Sequence, residues 1–99
     1  MIVVVLDAAG DDLKAGKSFY DSCEVGVGDY FVESLLADLH SLRLYGGIHF
    51  RQFGFYRMLS KRFPFAIYYL KEQETVFVYA ILDMRRNPSW LRAELLRRE

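Results

Sequence analysis

Few side chains in this sequence can do acid–base or nucleophilic chemistry near neutral pH: two histidines, His40 and His49, and one cysteine, Cys23. Cleaving RNA through its own 2′-hydroxyl, for example, takes a base, an acid and a cation held on the phosphate. His40 falls outside the apolar spacing of its segment and reads as solvated. His49 follows Gly46-Gly47 in a stretch without periodicity. Loops carry function, but an equally simple reading packs His49 against the neighbouring helices. No spacing fixes both histidines beside an arginine. Cys23 falls on an apolar helical seam, the place of an inert core thiol. Asp11-Asp12 stands too isolated for a metal site, and no H-E-x-x-H, C-x-x-C or phosphate-loop word occurs. The sequence therefore assigns no catalytic residue, no metal and no cofactor.

Cations are better marked. Arg85-Arg86 follows an apolar run and precedes a helix start, where the pair could grip phosphate or a carboxylate-rich partner. It could equally be a solvated turn or bond to the acidic half of the chain. Arg92, Arg97 and Arg98 form a basic helix tail, fit for an acidic target or simply for the negative end of a helix dipole. Trp90 beside them reads as a core anchor or as a contact. Arg57 lies in a mixed aromatic segment and reads as a sheet cation or as an edge arginine with its stem buried.

The elements that must position these residues follow from periodicity. Ile2–Leu6 is a β-branched run short enough for a buried strand, and Asp7 fits a helix N-cap. Ala9, Leu13, Gly16, Tyr20 and Cys23 recur at spacings of four and three, one face of a helix. Glu24-Val25-Gly26-Val27-Gly28 interrupts it. Gly28, Val32, Leu35, Leu39 and Leu42 repeat the pattern, with Phe31 and Leu36 widening the stripe, and Gly46-Gly47 stops it. Two matched seams with so short a link predict an antiparallel helical hairpin. Residues 48–54 read as a loop. Strands are predicted around Phe55, from Phe65 to Leu70 after Pro64, and from Thr75 to Leu82, with a polar turn at 71–74. The last run is apolar on both faces and belongs in a sheet centre covered on each side. Asn87-Pro88 starts the final helix, which shows Leu91 and Leu95 on one face.

The order is β-α-α-β-β-β-α, an α+β single domain over residues 1–99. No apolar run reaches the length of a membrane span. Ile2–Leu6 lacks the basic lead and cleavage site of a signal peptide, and a lone cysteine permits no internal disulfide. Together these point to the cytoplasm. The net charge of zero conceals an asymmetry. Residues 1–44 hold eight acids against three bases, net −5, and residues 45–99 hold ten bases against five acids, net +5. Two faces of opposite sign suit two different partners.

Three stretches then resemble the RelE/ParE toxin superfamily. They are Phe19-Tyr20 with Gly26-Val27-Gly28-Asp29-Tyr30-Phe31, Tyr56-Arg57-Met58-Leu59 through Arg62-Phe63-Pro64-Phe65-Ala66-Ile67-Tyr68-Tyr69, and Tyr79-Ala80-Ile81-Leu82-Asp83-Met84-Arg85-Arg86-Asn87-Pro88-Ser89-Trp90. The resemblance implies a twisted antiparallel sheet carrying the helical hairpin. It also implies the toxin of a type II toxin–antitoxin pair, a bacterial plasmid-stabilization type of function, with a cognate antitoxin as partner. RelE-like members are ribosome-dependent messenger-RNA endonucleases that use basic residues on the sheet. Here Ala66 and Leu59 stand at two of those places, Arg57 and Arg85 at others, Trp90 at the C-terminal aromatic, and Asp83 where histidine is common. The nuclease set is incomplete. The resemblance leans to ParE-like members, which inhibit DNA gyrase by contact, and the target-binding residues it implies are Arg57, Arg85, Arg86, Trp90, Arg92, Arg97 and Arg98. A RelE-like endonuclease acting at the ribosome and a binding-only member are the alternatives.

Overall fold

Strands apolar on both faces need cover on both, and the fold supplies it. The computed structural model describes residues 1–99. Its elements are β1 (Ile2–Val5), α1 (Asp7–Cys23), α2 (Val27–Tyr45), β2 (Arg51–Gln52), β3 (Phe55–Leu59), β4 (Phe65–Glu72), β5 (Thr75–Asp83) and α3 (Pro88–Arg98). They build one sheet in the order β1-β5-β4-β3-β2. The α1–α2 hairpin covers one face through Phe31, Leu35, Leu39 and Leu42 against Met58, Ile67, Tyr69, Val76 and Val78. The α3 helix covers part of the other, seating Leu91 and Leu95 on Phe55, Ala66, Tyr68, Ala80 and Leu82. Alternation along β3–β5 thus feeds two cores, as the two-faced apolar runs require. No helix is long and apolar enough to cross a membrane.

The structure departs from the sequence expectations at several points. The sheet is mixed, because β1 pairs parallel to β5 while β2 to β5 are antiparallel. The helical hairpin brings the chain back to the end of the sheet where β1 finished, so β2 runs opposite to β1, and three antiparallel reversals then leave β5 parallel to β1. β1 is also an edge strand, with Ile2 and Val5 exposed, and not a buried one. Asp7 is the first helical residue and Leu6 holds the cap position without a side-chain bond. The Leu6 N–H instead prolongs the ladder to the Val78 carbonyl. The predicted loop at 48–54 contains β2, joined to β3 by a two-residue turn in which Phe53 (φ 56°) and Gly54 (φ 85°) are both left-handed. That is the turn geometry a twisted hairpin favours, but a phenylalanine there gives no sequence signal. Cys23 and Leu36 are exposed. Cys23, in the last turn of α1, faces solvent, while Asp21 in the same turn meets the start of α2 at Gly28.

The hairpin closes tightly at Gly16, which is buried against the Phe31 ring. A Cβ at Gly16 would lie 2.5 Å from Phe31 Cε2. Phe31 is itself fully buried between Tyr20, Phe63 and Phe65. Gly10, on the same helix, has nothing within 4 Å of its Cβ direction. Gly16→Ala should therefore cost about 1–2 kcal/mol net, since overpacking outweighs the ~1 kcal/mol gain in helix propensity. Gly10→Ala should stabilise by about 0.5–1 kcal/mol. Urea midpoints of the two variants moving in opposite directions is the expected result.

Candidate target-binding surface

The basic residues of the C-terminal third are sorted by how the β5–α3 corner is built. Asn87 caps α3, accepting from the Ser89 N–H at 2.8 Å, and Pro88 begins the helix. That fixes Arg85 and Arg86 in the turn before it. Arg85 folds back on Asp83 in a two-pronged pair, Nε–Oδ1 at 3.0 Å and Nη2–Oδ2 at 2.6 Å. The Arg85 guanidinium holds the Asp83 carboxyl below its ordinary value. Arg86 sits over the Trp90 ring, its Cζ 3.7 Å from the centroid, a solvent-exposed cation–π contact. Arg92 and Arg97 are exposed further along α3, and Arg97 leans on Glu94.

Arg98 is different in kind. Its guanidinium donates to Asp12 Oδ2 at 2.5 Å and Oδ1 at 2.9 Å, to Glu94 at 2.9 Å and to the Tyr79 carbonyl at 3.1 Å, and its side chain is 11% exposed. Asp12 in turn accepts the Ile81 N–H at 2.9 Å. The reason lies in the sheet. β1 pairs with β5 only as far as Val78, and at Tyr79 the β4–β5 register slips. Beyond that point the β5 edge has no strand beside it, and Asp12 and Arg98 satisfy its orphaned groups. Arg98 is thus an internal tie, and Asp12, passed over in the sequence as an isolated acid, is its anchor. A pair 86 residues apart leaves no local signal.

Arg57 sits apart as well. It pairs with Tyr68 across β3–β4, on the sheet face that α3 partly covers but two strands away from α3's main seat on β5. The structure therefore leaves Arg85, Arg86, Trp90, Arg92 and Arg97 exposed along the β5–α3 turn and α3, turns Arg98 inward and leaves Arg57 separate. Between α1 and α3 lies a recess of about 330 Å³, floored by Gly16, Phe65 and Leu82 and rimmed by Phe19, Arg86 and Trp90.

The histidines take no part in this corner. His40 is exposed. His49 Nδ1 lies 2.5 Å from the Tyr69 hydroxyl, which also accepts the Gly47 N–H at 2.9 Å. Having accepted the Gly47 N–H, the Tyr69 hydroxyl still has its own proton to donate to Nδ1 in the tautomer that carries its hydrogen on Nε2. His49 clamps the turn after α2 onto a buried tyrosine.

Two pH windows follow. Burial pulls the His49 pKa below its ordinary 6.5, so the folded state resists protonation and stability falls as pH drops through 6.5. Asp21, Asp83 and Glu94 are held below their ordinary values of 3.8, 3.8 and 4.5, chiefly by Lys17, Arg85 and Arg97. Their contribution is complete above those values and is lost as pH falls further. Urea midpoints against pH should show both declines, and His49→Gln should abolish only the upper one. At pH 7, Asp12→Ala should cost about 3 kcal/mol, because it strands both a largely buried guanidinium and the Ile81 N–H. The double variant with Arg98→Ala should cost clearly less than the two single losses added.

No family model matches the chain, and no curated protein does. Among solved structures, the chain is similar to one from the chromosomal ParDE TA system of P. aeruginosa. The TM-score is 0.77 and the identity 14%, covering 86% of this chain and 97% of that one. At that identity the likeness is one of architecture, and it extends over the α-hairpin-on-sheet plan that the sequence motifs implied. The chain shares its α+β fold with that structure.

Proposed function

We propose that the protein is the toxin of a type II toxin–antitoxin pair and inhibits DNA gyrase by protein–protein contact, with an antitoxin as its silencing partner. The observation that carries the target reading is the α3 corner. Arg86 on Trp90 sets an exposed cation against one aromatic anchor at the start of α3, with Arg92 and Arg97 exposed further along the helix, residue types in which interface energy concentrates. Arg98 belongs to the same surface as its support, fixing α3 through Asp12. The fold likeness supports the toxin class.

Nucleolytic chemistry has less to work with. Tyr68, paired with Arg57 across β3–β4, is buried, and burial pushes its hydroxyl pKa up, away from a base at neutral pH. His49, on the other side of the sheet, is committed to Tyr69. Exposed apolar side chains such as Phe19, Leu36 and Leu44 are in keeping with a surface that an antitoxin covers.

In a supercoiling assay with purified gyrase and ATP, micromolar native protein should stop supercoiling or accumulate cleaved DNA. Arg86→Ala/Arg92→Ala should need about tenfold more protein for the same effect, the loss typical of removing an interface anchor. Folded native protein that leaves gyrase untouched would sink the gyrase reading, and toeprinting of ribosome-bound message would then test the nuclease alternative.

A further inference from the structure

A second recess, of about 290 Å³, lies at the opposite side of the sheet from β1, lined by Ile48, His49, Phe50, Arg57 and Leu59. The hairpin register defines its chemistry. Arg51 pairs with Tyr56, and the Arg57 N–H donates to the Phe50 carbonyl at 2.8 Å, so the ladder continues past β2. Alternation then puts Ile48, Phe50, Arg57 and Leu59 on one face. The His49 ring goes to the other face, to Tyr69. Ile48 is 73% exposed, Phe50 88% and Leu59 54%. Across from Leu59 stands Ala66, fully buried in the α3-side core.

Arg57 is the one cation in this apolar setting. Its Nε is buried with no hydrogen-bond partner, the only such side-chain atom in the protein. None of the ion pairs includes Arg57. The Nε itself is closed to solvent, so an incoming group meets the Nη end of the guanidinium, whose two parallel N–H bonds fit the two oxygens of a carboxylate.

We infer that this recess docks a carboxylate carried beside an apolar side chain, an Asp or Glu next to Leu, Ile or Phe on a partner polypeptide. Charge complementarity supplies the carboxylate, and the exposed Ile48, Phe50 and Leu59 supply the apolar contact. A nucleic-acid strand fits less well, because tracking phosphates takes several free cations, whereas the recess is lined by Arg57 as its one arginine and Arg51 of the adjoining strand lies over the Tyr56 ring. The site is distinct from the α3 corner and does not depend on the gyrase reading.

The test is an NMR titration of the full-length ¹⁵N-labelled chain with three probes at equal ionic strength: N-acetyl-leucine, N-acetyl-leucinamide and inorganic phosphate. N-acetyl-leucine should shift the Arg57 Nε–H and the Ile48, Phe50 and Leu59 amides saturably. The leucinamide and phosphate should each bind about tenfold more weakly, one lacking the charge and the other the apolar body. Arg57→Lys, which keeps the charge and loses the fork, should weaken N-acetyl-leucine binding by a similar factor while the spectrum stays dispersed. Should Arg57→Lys not fold, Leu59→Glu, at an exposed position, should abolish binding by repelling the carboxylate. Equal binding of leucinamide, or phosphate matching N-acetyl-leucine, would overturn the proposal. So would shifts in these amides that follow protein concentration alone, which would mean a second copy of the chain.

Discussion

Everything at the C-terminal side of this protein depends on one carboxylate. Asp12 reaches from α1 to the unpaired edge of β5, accepts a backbone N–H there and holds Arg98 beside it. Without that pair, α3 would rest on two leucines and a capped first turn. With it, a short helix of weakly amphipathic sequence acquires a fixed position. A mostly buried ion pair is weak evidence for net stability, because desolvation offsets much of the attraction. Its specific contribution here is geometric: it fixes where the exposed cations of α3 point.

The charge asymmetry of the sequence takes on a clearer meaning in the fold. Acids of the first half are not all solvated. Asp12 ties α1 to α3, Asp21 accepts the Gly28 N–H and pairs with Lys17 to close the helical hairpin, and Asp38, buried on α2, accepts from the Ser60 hydroxyl. Bases of the second half divide into those consumed by such ties and those left outward. Formal charge by segment therefore overstates what is free to meet a partner.

Much of the architecture was legible in the sequence, because it rests on local periodicity. The two seams of the helical hairpin, the two-faced β4 and β5 runs and the Asn87-Pro88 start all appear where spacing and capping chemistry place them. The parts that were not legible depend on distant partners. The parallel pairing of β1 is decided by the path of the whole hairpin. The Phe53-Gly54 turn adopts a favoured geometry with an unfavoured residue, whose ring is partly buried against the α3-side core. Cys23 and Tyr20 lie on one helical stripe, yet Tyr20 packs on Phe31 of α2 while Cys23 faces solvent. Among the basic residues, spacing could not separate Arg98 from Arg97, although one is an internal tie and the other faces solvent.

The slip in the β5 ladder also bears on the order in which the molecule can assemble. The β4–β5 hairpin and the two long helices close over short stretches of chain and can form early. The β1–β5 pairing joins opposite ends of the sequence, and the Asp12–Arg98 tie spans 86 residues. Such closures carry the largest entropic penalty and come late. During synthesis Arg98 leaves the ribosome after every group it serves. Until then, the end of β5 has unmet hydrogen-bonding groups and the leucine seat of α3 stands open. The cover of the sheet's second face is thus completed by the closure that spans the longest stretch of chain.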